Sequence, residues 1–121
     1  MNDIIFSYTR AQALEDGVLV DVSELAREAG FRFPVAVTRA VWCQCVEVTE
    51  KDTGVDQTGK LWDILNVLRF RIRAAKDEQV LYFEVLIAKN GKRPKPFRLK
   101  SECGPGDNAE PVITVMLPDE D

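Results

Sequence analysis

A chain of 121 residues is long enough for one domain with its own core, and 45% hydrophobic with 30% charged residues sets it among globular rather than disordered chains. Histidine is absent, which removes the commonest general base and leaves no way to build a Ser-His-Asp or Cys-His site. No apolar run approaches the roughly 20 residues that cross a bilayer, and Met1 to Phe6 has neither the basic start nor the apolar length of a signal peptide. A cytoplasmic protein with no membrane partner is expected.

In chain order, Thr9-Arg10-Ala11-Gln12 has the spacing of a capping box and predicts a short helix over 9–16 that Gly17 stops. Residues 18–22 are rich in β-branched side chains and allow a brief strand, after which Asp21 or Ser23 caps a second short helix ended by Gly30. Phe31 to Val37 is apolar apart from Arg32, and Pro34 keeps it extended, so it reads as the lead-in to a helix over about 38–48. Lys51 to Gly59 has the turn formers of an exposed loop. Leu61, Ile64, Leu65, Leu68 and Ile72 then repeat at helical intervals behind a Thr58 cap, with Arg69, Arg73 and Lys76 mostly off that stripe.

From Gln79 the period becomes two. Leu81, Phe83, Val85 and Ile87 share one face of a strand, Phe97 and Leu99 mark a second, and Val112 to Leu117 a third. Asn90-Gly91 suggests a tight hairpin, but Pro94 and Pro96 would then fall where ladder donors are needed, so a longer turn over about 89–96 is expected. Gly104 to Asn108 marks the turn before the last strand. The fold class expected is α+β in a single domain: about four N-terminal helices, with a short strand allowed at 18–22, packed on a C-terminal three-stranded antiparallel sheet.

Chemical constellations are few. Cys43, Cys45 and Cys103 are odd in number and without histidine, so they are expected to pack as thiols in a reducing compartment rather than to bridge or hold metal. Glu15-Asp16 and Asp21 with Glu24 suit helix-end chemistry better than acid–base work. Trp42 and Trp62 sit beside apolar neighbours, and Tyr82, Phe83 and Phe97 are assigned to the core. No cofactor and no metal are expected, and the missing groups favour a protein that is not an enzyme.

Charge placement is more informative. Residues 60–100 hold 11 Lys and Arg against 4 Asp and Glu, whereas residues 1–59 carry a net −5 and residues 101–121 a net −6. Arg69, Arg73 and Lys76 on the long helix, joined to Lys92, Arg93, Lys95 and Arg98 of the following strands, would make one basic binding face.

The blocks YTRAQALEDGVLVDVSELAREAGFRFPVAVTRAVW at 8–42, GKLWDIL at 59–65 and GPGDNAEPVITVMLP at 104–118 resemble a family of uncharacterised bacterial proteins. The resemblance implies accessory proteins of plasmids, integrative elements and phage-like regions, with no catalytic residue to carry over; 89–100 lies outside these blocks. Two functions are expected: a non-enzymatic protein-binding module of a mobile genetic element, such as one that modulates a host or defence protein, or a nucleic-acid-binding accessory protein using the basic segment 69–100. Neither the partner's identity nor the oligomeric state follows from the sequence.

Overall fold

Five strands form one mixed sheet, and two of them come from the half of the chain that reads as helical. The computed structural model describes residues 8–52, 56–75 and 78–120; the expectations for Met1 to Phe6, for 53–55 of the loop and for Lys76 lie outside the described residues. The strands are β1 (Leu19–Asp21), β2 (Val35–Thr38), β3 (Val80–Ile87), β4 (Lys95–Pro105) and β5 (Pro111–Met116), in the order β1-β2-β5-β4-β3. The β2–β5 pair is parallel, in register Val35 with Ile113, and the other three pairs are antiparallel.

The expectation of a three-stranded antiparallel sheet behind N-terminal helices is therefore corrected, and the reason lies in Val35-Ala36-Val37. These side chains are fully buried, because β2 is covered on both faces and paired on both edges. Such a strand shows no alternation and cannot be told from a buried helical lead-in by periodicity. Its partners, Val20 behind it and Val115 far ahead, are joined only by the fold.

The helices are α1 (Arg10–Glu15), α2 (Ser23–Glu28), a single turn α3 (Arg39–Val41) that continues as a π-helical segment Trp42–Val46, and α4 (Gln57–Ala74). Both halves of the Thr9/Gln12 capping box form. Asp56, rather than Thr58, caps α4 by accepting from the Gly59 amide at 2.6 Å, so the helix begins inside the expected loop. The helix expected over 38–48 is shorter and starts on the Thr38 hydroxyl.

Ile64, Leu65 and Leu68 of α4 are fully buried against Phe83, Val85, Leu99 and Val115 in one core. At about 1.5–3 kcal/mol per buried large apolar side chain, this stripe is what holds α4 to the sheet. The opposite face of the sheet is covered unevenly. Over β2 and β5, Ala36, Val112 and Met116 are buried; Arg10 of α1 donates to Thr114 Oγ1 at 2.7 Å and to the Ile113 carbonyl at 3.0 Å. Asp107, from the turn after β4, accepts from the Arg10 and Ala11 amides at 2.8 and 3.0 Å and so supplies the negative charge that the start of α1 favours. Lys100 of β4 is buried on this face and donates to the Glu120 carbonyl, but over β3 and the first residues of β4 the face is open among the described residues, with Tyr82, Glu84, Leu86 and Arg98 exposed.

Candidate functional site

Two surfaces compete for the role of site, and the expected basic face is divided between their neighbourhoods. From α4 the chain turns back into β3, so the C-terminal arginines of the helix lie near the start of β3 and the β3–β4 hairpin lies at its far end. Arg71 marks the first end, its Nε donating to the Tyr82 carbonyl at 3.2 Å. Ile87, where the hairpin begins, is five residues further along, about 17 Å at the rise of a strand.

The individual cations point in different directions. Arg69 is half-buried and lies over Gly30 at the end of α2; a Cβ on that glycine would stand 2.5 Å from Arg69 Nε. Arg73 is exposed at the end of α4. Arg98 emerges on the open face of the sheet, its guanidinium carbon 4.7 Å from the centroid of the Tyr82 ring. Lys92, Arg93 and Lys95 stay together at the hairpin. Of the described members, only these three form a cluster.

That hairpin has a built shape. Asn90 and Gly91 both take positive φ, 55° and 73°, and the Lys92 amide closes the turn on the Lys89 carbonyl at 3.0 Å, the pattern of a two-residue turn. The ladder resumes at Lys95 opposite Ile87, so Pro96 is inside β4 rather than in the turn. Because Cys103 donates to the Gln79 carbonyl, alternate β4 residues bond to β3 and Pro96 is not among them. Its missing donor faces away from β3, beyond the end of β5, and costs no ladder bond.

Asp52 anchors the tip. Its carboxylate accepts from the Thr49 amide at 2.8 Å and from Gly91 at 3.4 Å, and the Thr49 amide above all holds its pKa below the ordinary value. Beside the tip, Lys89, Lys92, Arg93 and Lys95 ring a shallow cavity of about 310 Å³ with Gln44, Ile87 and Phe97. Among the described residues no carboxylate lines it.

The second surface was not expected. Among the described residues, β3 has no strand on its outer edge. The Cys103-to-Gln79 bond sets the odd residues of β3 toward β4, so Val80, Tyr82, Glu84 and Leu86 present their amides and carbonyls outward. Beside this edge runs a groove of about 860 Å³ between α4 and the strand, lined by Val67, Phe70, Arg71, Val80, Tyr82 and Arg98 among others. Phe70 is 76% exposed and Leu86 62%. Tyr82, assigned to the core with Phe83, is 41% exposed instead, because alternation sends the two rings to opposite faces. The signal lay in the pattern: Phe70 falls off the helical stripe, and Tyr82 and Leu86 fall between the inward positions of the strand.

The thiols are separated. Cys43 is exposed, Cys45 is buried with its pKa pushed up to about 11 by burial, and Cys103 is half-buried. Asp21 accepts from the Ser23 amide and hydroxyl, and Asp16 from the Tyr8 hydroxyl, so both carboxylates serve local structure. Among the described residues no group of His, Cys, Asp and Glu is placed to hold a metal ion, and no helix is long and apolar enough to cross a membrane.

No curated protein and no solved structure matches the chain. A family model does match, over residues 1–121: the chain belongs to a family of unknown function, DUF6573.

Proposed function

We propose that this is a non-enzymatic protein-binding accessory protein, which docks an extended protein segment by strand addition along β3. The observation that carries this reading is the eight-residue edge with Phe70, Val80, Tyr82 and Leu86 exposed beside it. Unpaired strand edges recruit further strands through their free amides and carbonyls, while alternate side chains set specificity. The sequence blocks resembling accessory proteins of bacterial plasmids, integrative elements and phage-like regions supply the setting: a cytoplasmic module of a mobile element acting on a host or defence protein.

A second reading, nucleic-acid binding, rests on the cationic ring of Lys89, Lys92, Arg93 and Lys95. It now involves the hairpin alone, since the arginines of α4 lie elsewhere. One set of baits tests both readings: wild type, the edge variant Phe70→Lys/Leu86→Lys, and the hairpin variant Lys92→Ala/Arg93→Ala. The first reading expects a defined host protein retained by wild type and the hairpin variant and lost by the edge variant. Equal retention by all three overturns it. DNA binding that weakens steeply between about 50 and 200 mM salt and disappears in the hairpin variant would establish the second reading instead.

A further inference from the structure

We infer that, in the protein free of other partners, the strand that docks on β3 is β3 of a second copy, paired antiparallel about a two-fold axis at Phe83. The inference rests on the reading of β3 as a docking edge and names its occupant. Three observations carry it.

The first is that the edge lacks most of the devices that discourage such pairing. Across Val80–Ile87 there is no proline, no lysine and no bulge, and the ladder with β4 is unbroken over all eight residues. Among the described residues Arg71 is the one side chain that caps an outward group, through a 3.2 Å bond to the Tyr82 carbonyl, and it must let go when a strand adds.

The second is that the outward residues are complementary to their own reverse. Hydrogen-bonded pairing of two antiparallel copies requires outward residues to face outward residues, which leaves only a few registers. With the axis at Phe83, Val80 faces Leu86 of the second copy and Tyr82 faces Glu84 of the second copy. Both apolar residues then meet apolar partners. Moving the axis one residue forward sets Glu84 directly opposite Glu84 of the second copy, a destabilising like-charge pair. Moving it one residue back sets both apolar residues against glutamates, Leu86 facing Glu78 just before the strand and Val80 facing Glu84.

The third is charge. Arg98 lies over the Tyr82 ring at 4.7 Å, on the face where the side chains of Tyr82 and Glu84 emerge. Among the described residues Arg98 has no carboxylate within ion-pair distance, and the one ion pair is Lys100 with Glu102. Glu84 of the same chain faces Arg98 in the β3–β4 register without closing an ion pair, because the guanidinium leans over Tyr82. In the Phe83-centred register, Glu84 of the second copy arrives directly opposite Tyr82, on the side toward which Arg98 leans, and symmetry repeats the pair. The result is one continuous ten-stranded sheet, with Phe70 of each copy beside the seam.

Sedimentation of the full chain across a wide concentration range tests this. Wild type is expected to pass from monomer to dimer as concentration rises. Glu84→Arg, which places Arg opposite Tyr82 beside Arg98, is expected to weaken dimerisation at least about tenfold. The double variant Glu84→Arg/Arg98→Glu reverses the charges across the seam and also within one chain, where the two residues face each other, and is expected to recover most of that loss. Denaturant unfolding of Glu84→Arg, expected to match wild type in dilute protein, separates lost pairing from a lost fold. A monomer at every concentration, or a dimer indifferent to Glu84→Arg, overturns the inference. A monomeric chain that still loses a defined host protein on Phe70→Lys/Leu86→Lys would overturn the second copy as occupant and leave the docking edge standing.

Discussion

The two edges of the sheet are built in opposite ways. β1 closes one side with three residues, the half-buried Leu19 and Val20 and the exposed Asp21, whose carboxylate is engaged by Ser23. α1 packs beside it, fastened by Asp107 at its start and by Arg10 across β5. The β3 side offers eight residues, a full ladder behind them and, in front, a groove that mixes apolar side chains such as Phe70 and Val80 with Arg71, Glu78, Glu84 and Arg98. A short, charged and covered edge resists further pairing, whereas a long, flat and apolar one invites it. Both edges belong to one sheet on one core, so the difference is local and separable.

The largest effect should come from weakening the support of β3. Leu65 is fully buried among the side chains that join α4 to the sheet, and Leu65→Ala should cost about 2–5 kcal/mol by removing apolar contact and leaving a cavity. Denaturant unfolding measures it. A loss below about 1 kcal/mol would mean that α4 is not the buttress of the docking edge.

A smaller effect is expected on the opposite side. Asp107→Ala removes the acceptor for two amides at the start of α1 and should cost about 0.5–2 kcal/mol. Its sharper consequence is selective: stability falls while self-association through β3 is unchanged. A parallel fall in association would show that the two edges are coupled.

Local chemistry was legible in the sequence. The Thr9/Gln12 box is completed within four residues, and the inward side of β3 is stated by Leu81, Phe83, Val85 and Ile87. Features made by distant chain were not. Nothing near Val35 announces Ile113 as its parallel neighbour, and nothing near Arg10 announces a carboxylate 97 residues away. The basic segment is divided for a geometric reason: a helix followed by a strand running back beside it sets the arginines at the end of α4 and the cations of the β3–β4 hairpin at opposite ends of β3, while Arg98 shares the groove beside β3 with Arg71. The fraction of the expected face that survives, Lys92, Arg93 and Lys95, is the fraction held within one hairpin.

Hydrogen exchange at individual β3 amides tests the central claim most directly, because the strand contains its own control. Phe83 and Val85 donate toward β4 and should be protected at any concentration. Tyr82 and Glu84 donate outward: their amides should exchange quickly in dilute protein and become protected as concentration rises and a second strand adds. Outward amides that remain unprotected at every concentration, beside protected Phe83 and Val85, would contradict pairing of two copies at this edge.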